Sequence, residues 1–86
     1  MARMSESRLR QLIKGGETNT VELKVAAPRA VEMAERLCGM ANAQGGFVIV
    51  GVEDTERKIV GVPKARMALT VDVILRAARQ SSQRLS

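Results

Sequence analysis

Most of the side chains able to do chemistry in this sequence are charged. The 86 residues include 14 Lys and Arg and 9 Asp and Glu, a formal net charge of +5, with no His and a single Cys. Zinc fingers and catalytic Ser-His or Cys-His pairs need imidazole groups, so these sites are excluded within the chain. The lone Cys38 excludes an intrachain disulfide, and we interpret it as a core residue. Carboxylates, ammonium groups and guanidinium groups remain.

The positive charge is concentrated at the two ends of the chain. Residues 1–16 carry four basic side chains against one acid, residues 17–56 three against seven, and residues 57–86 seven against one. Basic surfaces attract polyanions through phosphate contacts and counterion release, which points to nucleic acid. The alternative is that the charge only keeps a soluble protein dispersed. Phe47 is the one aromatic residue, which disfavours recognition by base stacking.

The length of the chain limits the structure that positions these charges. We expect one domain over residues 1–86, with a small core that favours association with a second copy. The longest apolar run, residues 47–52, is far shorter than the ~18 residues that a membrane span needs. Residues 1–10 are polar and lack the apolar stretch of a secretory signal. We therefore expect a cytoplasmic protein without a membrane partner.

The first half of the sequence predicts a helix, a strand and a second helix. The first helix is predicted to begin at Ser5 or Ser7, as its cap, and to end at the glycine pair 15–16. Residues 20–25 alternate between apolar and polar, as in a half-buried strand, so Glu22 is predicted to point away from the core. A second helix is predicted to follow Pro28. Its apolar stripe comprises Val31, Ala34, Leu37, Cys38 and Ala41.

The second half predicts two strands and a third helix. Residues 47–52 form a continuous apolar run, which is typical of a central strand covered on both faces. Residues 58–62 are predicted to pair with it as an antiparallel hairpin, which Pro63 ends. The last helix is predicted to bury one stripe and to expose basic side chains on its outer side. The stripe comprises Val71, Ile74, Leu75 and Ala78.

These elements predict an α+β fold, a small mixed sheet with packed helices in the order α-β-α-β-β-α. The first two strands are joined through a helix and should lie parallel, because such crossovers are almost always right-handed. At least one strand edge has no predicted cover, and an open edge can pair with a second copy of the chain.

Three segments match, in order, the motifs of a known family. Residues 12–24 read LIKGGETNTVELK, a short helix followed by Gly-Glu-Ser/Thr-x-x-x-Glu-Phe/Leu-Lys. Residues 41–54 read ANAQGGFVIVGVED, which fits Ala-Asn-x-x-Gly-Gly, an apolar strand and Gly-Val-x-Asp. Residues 59–62 read IVGV and fit the strand that follows. Over about residues 9–78 the chain resembles the Schlafen AlbA-like DNA-binding domain, in a short single-lobe version of the bacterial transcriptional-regulator type.

The resemblance implies a candidate metal and catalytic site. In vertebrate Schlafen nucleases, three acids at matching positions bind the metal that cleaves RNA, and here they fall on Glu17, Glu22 and Asp54. Their oxygen ligands suit Mg²⁺ or Mn²⁺, although no cofactor is certain. Each acid also has an ordinary structural interpretation, as a turn residue, an ion-pair partner or the start of a hairpin turn. The family's Asp-x-Gly turn is replaced at residues 54–56 by Asp-Thr-Glu, which argues for a degenerate site.

The resemblance and the basic ends together favour a module that binds the backbone of DNA or RNA, with a transcriptional-regulator role. The alternatives are a metal-dependent endoribonuclease that uses the three acids, and a protein-interaction or oligomerisation module. The expected partners are nucleic acid and further copies of the chain, as a dimer or higher oligomer. The candidate nucleic-acid-binding residues are Arg8, Arg10, Lys24, Arg57, Lys58, Lys64, Arg66, Arg76 and Arg79.

Overall fold

A computed structural model describes residues 4–84 of the chain, and the burial of side chains up to residue 82. Its helices are α1 (Glu6–Lys14), α2 (Ala30–Ala43) and α3 (Met67–Arg84), and its strands are β1 (Val21–Lys24), β2 (Phe47–Val50), β3 (Val52–Glu53) and β4 (Lys58–Ile59). A short 3-10 helix, Lys64–Arg66, leads into α3. The α+β class and the order α-β-α-β-β-α are confirmed, with the second predicted strand divided into β2 and β3.

The first helix begins and ends where its capping residues predict. The hydroxyl of Ser5 accepts a hydrogen bond from the backbone N–H of Arg8 at 3.1 Å, so Ser5 rather than Ser7 is the cap. Gly16 has a φ of +73°, which ends the helix in a left-handed residue. Ile13 then packs from α1 into a core cluster with Leu23 and Val52. The packing of Ile13 therefore joins the end of α1 to the strands.

The strands form one parallel and one antiparallel pair. β1 pairs with β2 in parallel, with Val21 opposite Phe47, as the crossover through α2 requires. β3 pairs with β4 in an antiparallel hairpin, as predicted, but β4 covers residues 58–59 rather than the predicted 58–62. Val21 and Leu23 are buried in β1, whereas Glu22 between them is only half-buried, which confirms the alternation.

The predicted central strand is broken at Gly51. This glycine has a φ of +99°, and a Cβ on it would lie 3.0 Å from the carbonyl carbon of Gly61. The chain leaves the β1 ladder at this bend and enters the ladder with β4. The prediction that residues 47–52 are covered on both faces is confirmed only in part. Val48 and Val50 pack against buried residues of α2 and α3, and Ile49 packs against the cluster of Ile13. Phe47, however, is 39% exposed and the rest of β2 is half-buried. In a two-stranded ladder β2 is an edge strand rather than the centre of a sheet.

Helix α2 packs against α3 through part of its predicted stripe, Ala34 and Leu37, whereas α3 uses a face that differs from its predicted stripe. Ala34 of α2 and Ala77 of α3 are both fully buried in one cluster with Met33. The predicted stripe of α3 is exposed instead, and so are Val31 and Ala41 of the α2 stripe. Small side chains let two helices approach closely, which favours Ala77 over the larger apolar residues on the α3 side of the contact. Among the described residues, no helix is long and apolar enough to cross a membrane.

Candidate nucleic-acid interface

A basic cleft lies between the C-terminal end of α1 and the β3–β4 hairpin. Its volume is about 620 Å³. Helix α1 contributes Arg10, Ile13 and Lys14, and the hairpin contributes Glu56, Arg57 and Ile59. Three cations and one carboxylate therefore surround a space with an apolar floor. Such a concentration of positive charge attracts anions.

Arg57 is fixed in this cleft by contacts with the end of α1. Its Nη1 donates a hydrogen bond to the carbonyl oxygen of Lys14 at 2.8 Å. The last carbonyls of a helix carry partial negative charge and lack partners within the helix, which favours a cation there. The Arg57 side chain also lies against Gly16, where a Cβ would be 2.9 Å from the guanidinium Nε. The two contacts hold the guanidinium in the lining of the cleft.

The backbone of Arg57 is unusual as well. Its φ is +56°, and it is the one non-glycine residue with a positive φ in the described part of the chain. The left-handed conformation costs a non-glycine residue roughly 1–2 kcal/mol. Residues in such conformations cluster at functional sites, where the surrounding structure imposes them. Here the hairpin turn imposes it, and the side chain is directed at α1 as a result.

The turn that precedes Arg57 is closed by a carboxylate. The side chain of Glu53 accepts hydrogen bonds from the backbone N–H groups of Thr55 at 2.7 Å and Glu56 at 2.8 Å. These two hydrogen bonds lower the pKa of the Glu53 carboxyl below its ordinary value of 4.5, and the bond from Glu56 has the larger effect. The turn therefore forms without the glycine of the family's Asp-x-Gly pattern. The left-handed residue lies at Arg57 instead.

Arg10 and Lys14 complete the cleft from one face of α1. They are four residues apart and so lie on the same side of the helix. Arg10 is 3.8 Å from the carboxylate of Glu6, a contact between two largely exposed side chains that is worth little in water. Lys14 was not among the nucleic-acid-binding residues predicted from the sequence. Its i,i+4 spacing from Arg10 was the available signal.

The three acids of the predicted metal site have separate roles. The Glu17 carboxylate accepts a hydrogen bond from the backbone N–H of Leu23 at 3.0 Å. A carboxylate oxygen of Glu22 lies 2.9 Å from Nε of Arg36, although that N–H does not point at the oxygen, so the contact is an ion pair. Asp54 is exposed in the hairpin turn.

A metal ion would therefore have to compete with existing contacts of Glu17 and Glu22. Across residues 4–84, no group of three or more acidic, Cys or His side chains is arranged to hold a metal ion. The described geometry does not fit a ready three-carboxylate site for Mg²⁺ or Mn²⁺. The catalytic role of the three acids stays a prediction.

A comparison with protein families tests the family membership that the motifs suggested. Residues 17–85 match the family described as Schlafen, AlbA_2. The chain belongs to the Schlafen AlbA_2 family. Comparisons with curated proteins and with solved structures gave no match. In this Schlafen AlbA_2 chain the hairpin side of the basic cleft lies within the matched region, whereas the α1 side precedes it.

The other seven predicted cations of the Schlafen AlbA_2 chain lie outside the cleft. Arg8 is exposed on α1, Lys58 is exposed on β4, and Lys24 is half-buried at the end of β1. Lys64 and Arg66 are exposed in the 3-10 helix. On α3, Arg76 forms an ion pair with Asp72 at 2.6 Å, and Arg79 is exposed. Of the nine candidates, the structure brings only Arg10 and Arg57 together in the cleft.

Proposed function

We propose that this Schlafen AlbA_2 chain binds the phosphate backbone of DNA or RNA through the basic cleft. The observation that carries the proposal is the Arg57 guanidinium, held against α1 beside Arg10 and Lys14. A guanidinium presents five N–H donors in a planar fork that suits phosphate oxygens. Its bond to the Lys14 carbonyl uses one of them. A fixed arginine therefore loses little side-chain freedom when a phosphate arrives.

The composition supports backbone binding without base recognition. Phosphate contacts carry no sequence information, and base-stacking proteins need several aromatic side chains. The chain has one aromatic residue, Phe47, which lies in β2 and does not line the cleft. We therefore expect similar affinities for unrelated sequences of the same nucleic acid. A regulator role and a cytoplasmic location stay predictions.

The experiment is a fluorescence-anisotropy titration of labelled duplex DNA and single-stranded RNA at several salt concentrations. Each phosphate contact contributes about 0.7–0.9 to the slope of log affinity against log salt. Lys14→Ala and Arg10→Ala should each lower the slope by about that amount. Arg29→Ala is the matched control, because it removes the same charge from an 81% exposed side chain paired with Glu32 on α2. Its slope should equal that of the wild type.

Two outcomes would overturn the proposal. One is the absence of binding to either nucleic acid at low salt. The other is a loss of slope in Arg29→Ala as large as the loss in Lys14→Ala, since that result would assign the binding to net charge rather than to the cleft. Circular dichroism checks that every variant is folded.

A further inference from the structure

Helix α3 carries an apolar stripe that no described part of the chain covers. We name the outer stripe by its members, Val71, Ile74, Leu75 and Ala78, all of which are exposed. Leu75 is 56% exposed and Val71 is 45% exposed. Single exposed apolar residues are ordinary, but a contiguous apolar patch marks an interaction surface. The spacing i, i+3, i+4, i+7 makes the four side chains contiguous on one face of the helix.

We propose that the outer stripe binds the outer stripe of a second copy, with the two α3 helices antiparallel. A two-fold axis midway between Ile74 and Leu75 places Val71 opposite the partner's Ala78, and Ile74 opposite the partner's Leu75. The stripe is thus complementary to itself, as a two-fold interface requires. A large side chain faces a small one at each end, which lets the helices approach.

The charges beside the stripe select the antiparallel orientation. Asp72 and Arg79 are seven residues apart and so lie on the same flank of α3. In the antiparallel pair, the position opposite Asp72 along the helix axis is the partner's Ala77. The partner's Arg79 is two residues from that position, which is about 3 Å along the axis at 1.5 Å per residue. Both crossed contacts then join opposite charges. A parallel pair would place this flank of the two helices on opposite sides of the interface, so that Asp72 and the partner's Arg79 would not meet.

Arg79 is available for this contact. In the described part of the chain, Asp72 is paired with Arg76, whereas Arg79 has no carboxylate within ion-pair distance. An exposed carboxylate can accept from two guanidinium groups, since it has two oxygens and about four lone-pair sites. The dimer therefore adds a contact for Arg79 without removing the existing ion pair.

Other occupants of the outer stripe fit less well. Nucleic acid offers phosphates, which an apolar stripe does not bind. A membrane-surface helix normally carries Trp or Phe on its apolar face and cations on its polar face. The outer stripe has no aromatic residue, and Asp72 lies on its flank. Membrane binding is nevertheless a measurable outcome of the test.

The test measures the mass of the whole chain by light scattering across micromolar to millimolar concentrations. The wild type should approach twice the 9.3 kDa of one chain. Leu75→Glu should remain at one chain mass, with at least a tenfold weaker dimer, because it places a charge in the centre of the stripe. Leu69→Glu is the matched control: Leu69 is also 56% exposed on α3 but lies outside the outer stripe. It should dimerise as the wild type does, and circular dichroism confirms that both variants fold.

A charge exchange tests the orientation. Arg79→Glu alone should weaken the dimer by about 5- to 30-fold, as expected for two exposed opposite-charge pairs that become repulsive. Adding Asp72→Lys to the same chain should restore most of the affinity, because each crossed contact again joins opposite charges.

Four results would overturn the proposal. They are a monomeric wild type at every concentration, equal dissociation by Leu69→Glu and Leu75→Glu, no recovery in the double variant, or a monomer that binds vesicles of phosphatidylserine and phosphatidylcholine through Leu75. Since the outer stripe and the basic cleft share no residues, nucleic-acid binding can fail while dimerisation succeeds, and the reverse.

Discussion

Replacing Arg57 should separate its effect on stability from its effect on binding. In Arg57→Ala the left-handed backbone remains strained and the bond to the Lys14 carbonyl is lost. A hydrogen bond of this kind contributes about 0.5–1.5 kcal/mol, so the alanine variant should be less stable by about that amount. In Arg57→Gly the same bond is lost, but the strain of roughly 1–2 kcal/mol is relieved. Glycine also makes the unfolded chain more flexible, at a cost of about 0.5–1 kcal/mol.

The glycine variant should therefore be about as stable as the wild type and about 0.5–1 kcal/mol more stable than the alanine variant. Urea unfolding followed by circular dichroism measures this order. Both variants should show the same reduced salt slope for nucleic acid, lower by about 0.7–0.9, because both lack the guanidinium. Equal stability of the two variants would show that residue 57 does not adopt the left-handed conformation in solution. Wild-type affinity in the glycine variant would refute the role of Arg57 in the cleft.

Three further predictions concern other positions. Gly46→Ala should lower the free energy of unfolding by about 1–3 kcal/mol, because its Cβ would lie 2.6 Å from the carbonyl oxygen of Thr20. Gly39→Ala in α2, where a Cβ meets nothing within 4 Å, should raise that free energy by up to about 1 kcal/mol. Equal stability of the two variants in urea unfolding would contradict the packing argument. The lowered pKa of the Glu53 carboxyl gives a stabilisation that is present above its unfolded value of 4.5 and is lost as pH falls through the folded pKa; pH-dependent unfolding should show this acid loss in the wild type, and an unchanged loss in Glu53→Gln would assign it elsewhere. If Glu17, Glu22 and Asp54 bind Mn²⁺, the metal should raise the melting temperature of the wild type but not that of Asp54→Asn, a substitution at an exposed residue. Equal melting temperatures with and without Mn²⁺, together with uncleaved RNA, would contradict the nuclease hypothesis.

Local chemistry was sufficient to predict much of the fold. The Ser5 cap, the glycine end of α1 and the alternation in β1 each depend on neighbouring residues, and the structure confirms them. The parallel β1–β2 pair followed from a connection rule, and the hairpin from its two apolar runs. In these cases the sequence contains the whole cause.

Helix orientation was not predictable from the apolar pattern. The pattern located α3, but both Ala77 and the larger Ile74 and Leu75 are apolar, and hydrophobicity alone favours burial of the larger residues. The contact with Ala34 of α2 reverses that choice. Such close approach depends on the shapes of two surfaces from distant parts of the chain, which periodicity does not encode.

The sequence predicted only some of the residues of the basic cleft, for a similar reason. Charge counting identified Arg10 and Arg57, but not that they line the same cleft. Their proximity depends on a bond between Arg57 and the Lys14 carbonyl, 43 residues away in sequence. It also depends on a positive φ at an arginine, which a sequence pattern assigns by preference to glycine.

The bend at Gly51 couples the local unfolding of the β1–β2 ladder to that of the β3–β4 ladder. The N–H of Gly51 donates to the carbonyl of Lys24 at 2.7 Å, and its carbonyl accepts from the N–H groups of Val60 and Gly61, both at 2.9 Å. One residue thus carries hydrogen bonds to β1 and to the segment after β4. Local openings of proteins occur in contiguous cooperative units. In hydrogen–deuterium exchange the amides of Gly51, Val60 and Gly61 should therefore exchange with a common protection factor, so that the hairpin carrying Arg57 detaches as one unit with the edge of β1.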